Sequence, residues 1–384
     1  MPLLEKQKSK GRSHFGDVLA VLLLLAFIMG MGWLWWQEKH PKKAPKTRTH
    51  ATVQTKVMVS PVLPPKQDEP VKPAVTIAPT TLNPPGKPPV VIPQAVADFP
   101  RPVRDVFEAQ VALMRRAISP GSLDSAIGSQ TRAALRAFQR SENLSESGLL
   151  DTNTRTALTL DAPLLTTYTV TSNDLARLQP IGKTWVEKSE QSALDYETLL
   201  ELVAEKAHSY PSLVQKLNPG VDWADIAVGA DLKVPLAEYP EPADKAAFVV
   251  IHLSAKILEA FDAETNLLLH CPCSIAAKVE KRPVGELHVA VIAPNPNYTF
   301  DPEVFPESPE AQAIGHKLIL PPGPNNPVGL AWIGLDKPGY GMHGTPVPEQ
   351  VGRTESHGCF RLANWDATYM VKLVWVGMPV LVEP

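Results

Sequence analysis

Prolines crowd one stretch of this 384-residue chain and divide it into two unequal parts. Residues 41–102 hold 15 prolines in 62 positions and almost no glycine. Such a stretch has no apolar periodicity with which to build a core, so burial cannot offset the entropy of ordering it. Proline-rich segments favour extended polyproline II structure, at about 3.1 Å per residue. We therefore expect residues 37–102 to be a semi-rigid linker, with globular domains only after it.

An apolar run lies ahead of this linker. Residues 18–36 carry no charge over 19 positions, about the length that a helix needs to cross a bilayer core. Three tryptophans end the run, and tryptophan prefers the membrane interface. Lysines flank both sides, so charge orients the helix only weakly. We expect a transmembrane signal-anchor at residues 18–36 and a cytoplasmic segment at 1–17; a cleaved signal peptide is the alternative.

Charge and cysteine content exclude several classes of protein. The formal net charge of -3 gives no ground for nucleic-acid binding. Cys271 and Cys273 are too closely spaced for an easy disulfide, and no second cysteine pair could complete a metal site with them. We expect these two to be small, unpaired core residues. Neither a metal nor a cofactor is expected.

Residues 103–160 are predicted to be helical, because apolar residues recur there at helical spacings and glycines separate the runs. Residues 125–139 read Ser-Ala-Ile-Gly-Ser-Gln-Thr-Arg-Ala-Ala-Leu-Arg-Ala-Phe-Gln, and residues 148–154 read Gly-Leu-Leu-Asp-Thr-Asn-Thr. These segments resemble the three-helix peptidoglycan-binding domain. The resemblance implies binding to the cell wall, with a plain helical spacer as the alternative.

Residues 166–236 have a different pattern. They open with Tyr168-Thr169-Val170, continue to Asn218-Pro219 and close with a Leu-Lys-Val-Pro strand at 232–235. This order resembles a LysM module: a strand, a polar turn, two helices, an asparagine and a final strand. About 17 extra residues, 179–195, depart from it. The resemblance implies binding of N-acetylglucosamine-containing glycans; a generic α+β linker domain is the alternative.

The last part of the chain, residues 247–384, is predicted to be mostly β. Short strand-like runs at 248–253, 267–270, 287–292 and 379–382 are separated by Gly/Pro turns, a pattern typical of a sandwich-like domain. One helix is expected at 365–374, with Asn364 or Asp366 as its N-cap; for Asn364, a tie within the loop is the other expected role. The whole chain is thus predicted to be a multidomain α+β protein.

A cysteine and two histidines lie close together in this last part. Cysteine attacks as the thiolate, and a nearby imidazole is a common means of generating it. His343 precedes Cys359 by 16 residues and can reach it from a neighbouring strand or loop. A histidine paired with a lone cysteine indicates acyl transfer.

The surrounding residues carry a resemblance to one family. Residues 341–345 read Gly-Met-His-Gly-Thr, and residues 356–364 read Ser-His-Gly-Cys-Phe-Arg-Leu-Ala-Asn. This is similar to the signature of the L,D-transpeptidases, with Phe360 in place of a smaller aliphatic residue. Residues 320–329 and the turn 295–298 extend the likeness. The resemblance implies that Cys359 forms a thioester with a peptidoglycan stem peptide, that His343 is the base, and that carbapenems acylate the cysteine.

Further roles follow from the same resemblance. A backbone carbonyl near Gly344 would orient His343, and backbone amides around His357, Gly358 and Cys359 would form an oxyanion hole. Arg361 and Ser356 are assigned to substrate binding; for Arg361, a structural salt bridge is the alternative.

The cysteine motif does not distinguish acceptors. A second stem peptide, water or an envelope protein would make the enzyme a transpeptidase, an L,D-carboxypeptidase or cross-link hydrolase, or a protein-attachment enzyme. A non-catalytic wall-binding tether is an alternative of another class. The expected partners are peptidoglycan and, through residues 18–36, the inner membrane, with the catalytic part in the periplasm. Since the two modules are assigned to wall retention, deleting residues 103–236 is expected to change turnover only a few-fold.

Overall fold

The computed structural model describes residues 99–354, 356 and 358–384. The predicted signal-anchor and all but the last four residues of the predicted linker lie outside these residues. Within the described part of the chain, no helix is both long enough and apolar enough to cross a membrane.

The first described region is a small helical module, residues 99–164. Its elements are β1 Arg101–Pro102, α1 Val106–Met114, α2 Ser129–Ser141, α3 Thr152–Ala157 and β2 Thr159–Leu160, with β1 antiparallel to β2. Asp105 and Asp151 cap α1 and α3 by accepting hydrogen bonds from backbone amides in the first helical turns. Leu113, Leu135 and Phe138 are fully buried at the centre of the module. The helices predicted for this region are present, and the last two linker residues pair with β2.

A middle module, residues 165–236, follows. Its elements are β3 Leu165–Thr169, α4 Ser172–Ala176, α5 Trp185–Glu190, α6 Leu199–Lys206, α7 Pro211–Leu217 and β4 Asp231–Pro235, with β3 antiparallel to β4. Thr171, Thr184 and Thr198 each begin a helix with a capping box. The module has the strand–helices–strand order predicted for it, and its identity as a LysM module remains a prediction.

The last region, residues 247–384, is built on one curled eight-stranded sheet. Its elements are β5 Phe248–His252, β6 Ile257–Phe261, β7 Leu267–Pro272, β8 Gly285–Pro294, β9 Tyr298–Phe300, α8 Pro309–Ile314, β10 Leu318–Leu320, β11 Ala331–Leu335, β12 Gly341–His343, β13 Phe360–Arg361, α9 Asn364–Leu373 and β14 Pro379–Glu383. The strand order in the sheet is β13-β12-β11-β8-β14-β5-β6-β7, and β9 pairs separately with β10. Three short 3-10 turns complete the region, at Val279–Lys281, Pro302–Val304 and Pro348–Gln350.

Strand β8 produces the curl. The beginning of β8 pairs with β14 and its end pairs with β11, so one strand serves both halves of the sheet. Past β7, Ser274 pairs with Arg361 of β13 through two backbone hydrogen bonds of 2.9 and 3.0 Å. The chain that leaves one edge strand therefore reaches the other. The α+β prediction is confirmed, and the strands form one curled sheet where a sandwich-like domain was predicted.

One core lies between the two halves of this sheet and α9. It includes Val249, Ile333 and Met370. Cys271 and Cys273 also lie in it, unpaired and fully buried, as predicted for small core residues. Burial raises the pKa of Cys273 to about 12, so this thiol stays protonated.

The predicted cap of α9 is wrong. The helix begins at Asn364, one residue earlier than expected, and the cap position, Ala363, offers no side-chain hydrogen bond. Asp366 instead accepts hydrogen bonds from the hydroxyls of Tyr239 and Ser119. Both candidate side chains are fully buried. Their polar atoms form hydrogen bonds with residues far away in the sequence and not with the first amides of the helix.

The helical module covers the β7 edge of the sheet. The Ser119 amide donates to the His270 carbonyl at 2.7 Å, and the His270 amide donates to the Ala117 carbonyl at 3.0 Å. Arg140 of α2 pairs with the buried Glu259 of β6 at 2.5 Å. An open strand edge is a template for unwanted pairing, and this contact closes it.

Candidate active site

The parallel pair β12–β13 brings the predicted catalytic residues together. In its register His343 lies opposite Arg361, and Met342 lies opposite Phe360. Met342 and Phe360 are buried in the core, so their neighbours in sequence face the other side of the sheet. Cys359 comes directly before β13, and its Sγ bonds the carbonyl of Gly339, two residues before β12. The register and this bond bring His343, Arg361 and Cys359 together along the β12–β13 pair.

His343 is buried and held in one tautomer. Its Nδ1 lies 2.6 Å from the carbonyl oxygen of Gly344. Since a carbonyl only accepts, Nδ1 carries the proton and Nε2 is left as a free base. Burial lowers the pKa of His343 to about 4, and the charge of Arg361 lowers it further, while the Gly344 bond opposes the shift. The imidazole is thus neutral at neutral pH and able to accept a proton.

The Cys359 sulfur is partly exposed and protonated at rest. Its Sγ donates to the Gly339 carbonyl at 3.4 Å. Burial raises the pKa of the Cys359 thiol, against the opposing effects of a backbone hydrogen bond at Gly341 and the charge of Arg361. Because the thiol and the imidazole are both neutral at rest, we expect the thiolate to form by proton transfer only when a substrate is bound.

Ser356 ties the loop that carries the cysteine. Its Oγ donates to the Cys359 carbonyl at 2.5 Å and accepts from the Gly358 amide at 3.3 Å. The Gly358 amide, a predicted oxyanion donor, is therefore engaged within the loop in this structure. Ser356 also lines a cavity of about 620 Å³ with Lys278 and Val304, so a role in substrate binding stays a prediction. His357 lies outside the described residues.

Arg361 is fixed by its main chain and acts on the cluster by its charge. Its amide and carbonyl pair with Ser274, and burial lowers the pKa of its guanidinium. The side chain lines a cavity of about 440 Å³ together with Thr345. Its charge lowers the pKa of both His343 and Cys359.

Asn364 holds the loop after His343. Its Oδ1 accepts from the amides of Leu330 and Thr345, both at 3.1 Å. Its Nδ2 donates to Glu205 Oε2 at 3.0 Å and to the Pro324 carbonyl at 3.2 Å. Every hydrogen-bonding atom of this buried amide is used, so Asn364 fixes the position of the Gly344–Thr345 backbone.

This close approach explains the glycine of the His-Gly-Thr motif. A Cβ at Gly344 would lie 2.2 Å from Asn364 Oδ1, far inside van der Waals contact. Only glycine lets the loop come near enough to bond this side chain.

Glu205 is a residue that sequence reasoning missed. It lies on α6 of the middle module, is nearly fully buried, and accepts from the Tyr196 hydroxyl at 3.1 Å as well as from Asn364. Burial raises the pKa of Glu205 to about 7, although its two hydrogen bonds oppose the shift. The sequence held one signal: Glu205 lies three residues after Leu202, on the buried face of α6.

Two aromatic residues complete the site. Trp332, opposite His343 on β11, stacks on the imidazole with ring centroids 5.7 Å apart. The second is Tyr298, whose pKa is raised chiefly by burial and also by the charge that Cys359 carries when it is ionised. Tyr298 belongs to the turn 295–298 that the sequence singled out, whereas nothing in the sequence identified Trp332. Across the described residues, no three His, Cys, Asp or Glu side chains are placed to hold a metal ion.

Comparison with known families agrees with this geometry. Residues 246–382 match the model of the L,D-transpeptidase catalytic domain, and residues 103–158 match a putative peptidoglycan binding domain. Two of the three family resemblances found in the sequence, to the L,D-transpeptidase catalytic domain and to the peptidoglycan-binding domain, are therefore confirmed.

Several bacterial proteins are similar to the chain. A putative L,D-transpeptidase of Bacillus licheniformis is 23% identical over 188 residues, which cover 49% of this chain and 94% of that protein. A putative L,D-transpeptidase of Bacillus subtilis is 35% identical over 105 residues, covering 26% of this chain and 51% of that protein. A probable L,D-transpeptidase of Escherichia coli K12 is 28% identical over 184 residues, covering 47% of this chain and 58% of that protein. The chain thus spans little more than half of the last two relatives.

Proposed function

We propose that this chain, which carries an L,D-transpeptidase catalytic domain, uses Cys359 to take an acyl group from a peptidoglycan stem peptide. The thiol attacks the carbonyl that joins the third and fourth residues of the peptide while His343 Nε2 takes its proton. That proton then passes to the nitrogen of the terminal D-amino acid, which leaves as a free amine. An acceptor amine next attacks the thioester and restores the thiol. The observation that carries this proposal is the parallel pairing of β12 with β13, which sets His343 opposite Arg361 and brings Cys359, directly before β13, alongside the start of β12.

The acceptor we propose is the amine of a second stem peptide, so that the product is a cross-link. Peptidoglycan is supported as substrate by the match of residues 103–158 to a peptidoglycan binding domain. Water as acceptor would give an L,D-carboxypeptidase, and an amine of an envelope protein would give a protein-attachment enzyme. A LysM role for residues 166–236 belongs to the same proposal.

We further propose that residues 18–36 anchor the chain in the inner membrane and that the proline-rich linker holds the catalytic part in the periplasm. The support is the uncharged run and the linker composition. Membrane fractionation of the full chain and of residues 99–384 tests this. Recovery of the full chain in the soluble fraction would contradict it.

The first experiment uses residues 99–384 and soluble disaccharide tetrapeptides, with products identified by mass spectrometry. Cys359→Ala should abolish both the thioester and the cross-linked product, because no other route supplies the covalent intermediate. Cys273→Ala is the matched control, since this thiol is buried and protonated, and it should keep turnover. Product formation by Cys359→Ala, or a thioester on Cys271 or Cys273, would exclude the mechanism.

The second experiment tests the role of His343 as base separately from the role of Cys359 as nucleophile. A carbapenem should add its mass to Cys359 in the parent protein, and His343→Ala should slow this acylation about 100-fold or more at neutral pH. Acylation of the His343 variant at the parental rate would contradict its role as base. A folded parent protein that binds sacculi but never acylates would favour the non-catalytic tether.

A further inference from the structure

Trp332 lies directly opposite His343 on the neighbouring strand β11. Its indole stacks on the imidazole, with ring centroids 5.7 Å apart and planes 27° from parallel. Offset stacking at such a distance is a favourable arrangement for two aromatic rings. Trp332 is half-buried and His343 is buried, so the indole covers one face of the imidazole.

Two glycines leave the space that the indole occupies. Gly334 and Gly341 lie opposite each other on β11 and β12, and each is two residues away from Trp332 or His343 on its own strand. Because side chains alternate along a strand, all four positions share one face of the sheet. A Cβ at Gly341 would lie 2.8 Å from Trp332 Cη2, and a Cβ at Gly334 would lie 2.9 Å from Trp332 Nε1. The indole therefore lies along the sheet, across the glycine pair.

Two contacts together fix the imidazole. The bond from His343 Nδ1 to the Gly344 carbonyl, 2.6 Å long, sets the tautomer and leaves Nε2 as the base. A single hydrogen bond still lets the ring plane pivot about the line that joins its two atoms. The stacked indole opposes this pivot, because tilting the imidazole would push it into the Trp332 ring. Nε2 is then held in one direction, as proton transfer requires.

The other neighbours of the indole on the sheet are apolar. On β8, Ala293 lies opposite Trp332 and Val291 lies opposite Gly334. Val291 is exposed, and its Cγ1 would lie 2.6 Å from a Cβ at Gly334. Apolar substitutions at Trp332, Gly334 or Val291 therefore alter the packing around the imidazole without adding or removing a charge.

We propose that Trp332 is a positioning residue: its indole, which lies across Gly334 and Gly341, holds the His343 imidazole in the orientation from which Nε2 takes the proton of Cys359. The inference rests on the proposed function, because it concerns the base of the same reaction. Trp332 acts through His343 and does not itself exchange a proton. Its loss should therefore slow acylation of the thiol without weakening the binding of the acylating compound.

The test follows acylation of the full chain by a carbapenem in a single turnover, which gives the acylation rate constant and the dissociation constant separately. Trp332→Ala should lower the rate constant about 10-fold and keep the dissociation constant within two-fold. Trp332→Phe retains a ring and should stay within about three-fold of the parent. Val291→Ala is the matched control on the same strand face and should equal the parent. If Trp332→Ala does not fold, Trp332→Leu, which fills the space without a ring, takes its place.

A double-mutant cycle tests whether the indole depends on the glycine pair. Gly334→Ala adds a Cβ that the indole must move to accommodate, so we expect about 5-fold slower acylation in the parent background. In the Trp332→Ala background the same change should cost less than two-fold, since no indole is left to displace. Equal costs in the two backgrounds would overturn the inference. So would an acylation rate constant of Trp332→Ala, or of Trp332→Leu, within two-fold of the parent.

A measurement without turnover separates this inference from the proposed function. NMR of the protein labelled with 15N-histidine at pH 8 reports the tautomer of each imidazole, and His343→Gln identifies the His343 signals. The parent should show one tautomer, with the proton on Nδ1, and Trp332→Ala should show a mixture. This result supports the inference even if no adduct forms on Cys359. If the parent forms the adduct but Trp332→Ala keeps a single tautomer, only the inference about Trp332 fails.

Discussion

The two accessory modules contact the catalytic domain in different ways. The helical module pairs its residues 117–119 with β7 and places Arg140 on Glu259, mostly at one edge of the sheet. The middle module reaches the loops around the cysteine motif through Glu205, Leu194 and α5. One module closes a strand edge, whereas the other supplies partners to the residues that hold His343. The comparison indicates that the first mainly stabilises the fold and that the second positions the site.

The contacts of both modules with the catalytic domain are more extensive than the sequence led us to expect. Modules assigned to wall binding were expected to be separable from turnover, with residues 103–236 dispensable for small substrates. The structure instead joins both modules to the catalytic domain by backbone ladders, buried side chains and shared cores.

The largest effect should come from removing both modules. Residues 237–384 alone would expose the β7 edge and leave Asn364 Nδ2 without Glu205, so we expect insoluble protein or at least a 100-fold loss of turnover. Residues 99–384 are the control and should be fully active. Gel filtration, circular dichroism and product analysis check this. Full turnover by the isolated catalytic region would show that the modules only bind the wall.

The next-largest loss of activity should come from changing a single side chain of the middle module. Glu205→Ala should lower kcat/KM about 10- to 100-fold, because the Asn364 amide loses a buried partner and the Gly344–Thr345 backbone loses its fixed position. Glu205→Gln keeps an acceptor for Asn364 and should retain most of the activity. The rate of carbapenem acylation gives a second readout. If both variants equal the parent in this rate, Glu205 has no positioning role.

The pKa of Glu205 makes the same contact dependent on pH. It is raised to about 7 in the folded chain from an ordinary value of 4.5, so the carboxyl stabilises the fold fully below pH 4.5. That stabilisation is lost as pH rises toward and through 7. Glu205→Gln does not titrate. Between pH 4.5 and 8, the free energy of unfolding of the parent should therefore fall relative to that of the variant by on the order of 2 kcal/mol. Denaturant titrations at both pH values measure this; parallel pH curves would contradict it.

The smallest effect should come from the helical module. Arg140 is partly exposed and Glu259 keeps a hydrogen bond to His270, so Arg140→Ala should cost about 1 kcal/mol of unfolding free energy. Turnover should not change, because this pair lies away from the β12–β13 cluster. Thermal unfolding and kcat/KM are measured on the same sample. A loss of kcat/KM as large as that of Glu205→Ala would show that the two modules do not differ in their effect on turnover.

The sequence by itself predicted the catalytic pair and the order of the modules. Cys359 and His343 lie in one short motif, 16 residues apart. The strand–helices–strand order of residues 165–236 also follows from local periodicity and capping residues. Such features depend on neighbours in sequence, which is why a single chain reveals them.

Only the tertiary structure decided what surrounds this motif. Asn364 was expected to cap α9 or to tie a loop. It ties the loop after His343 and also bonds Glu205, 159 residues away, a partner that only the docked middle module supplies. Residues 179–195 looked like an insertion in one module and became a wall of the cavity at Arg361. Neither contact leaves a periodicity in the sequence, since each depends on how separately formed surfaces pack. The predicted catalytic pair can thus be identified from local sequence, while its positioning depends on how the modules dock.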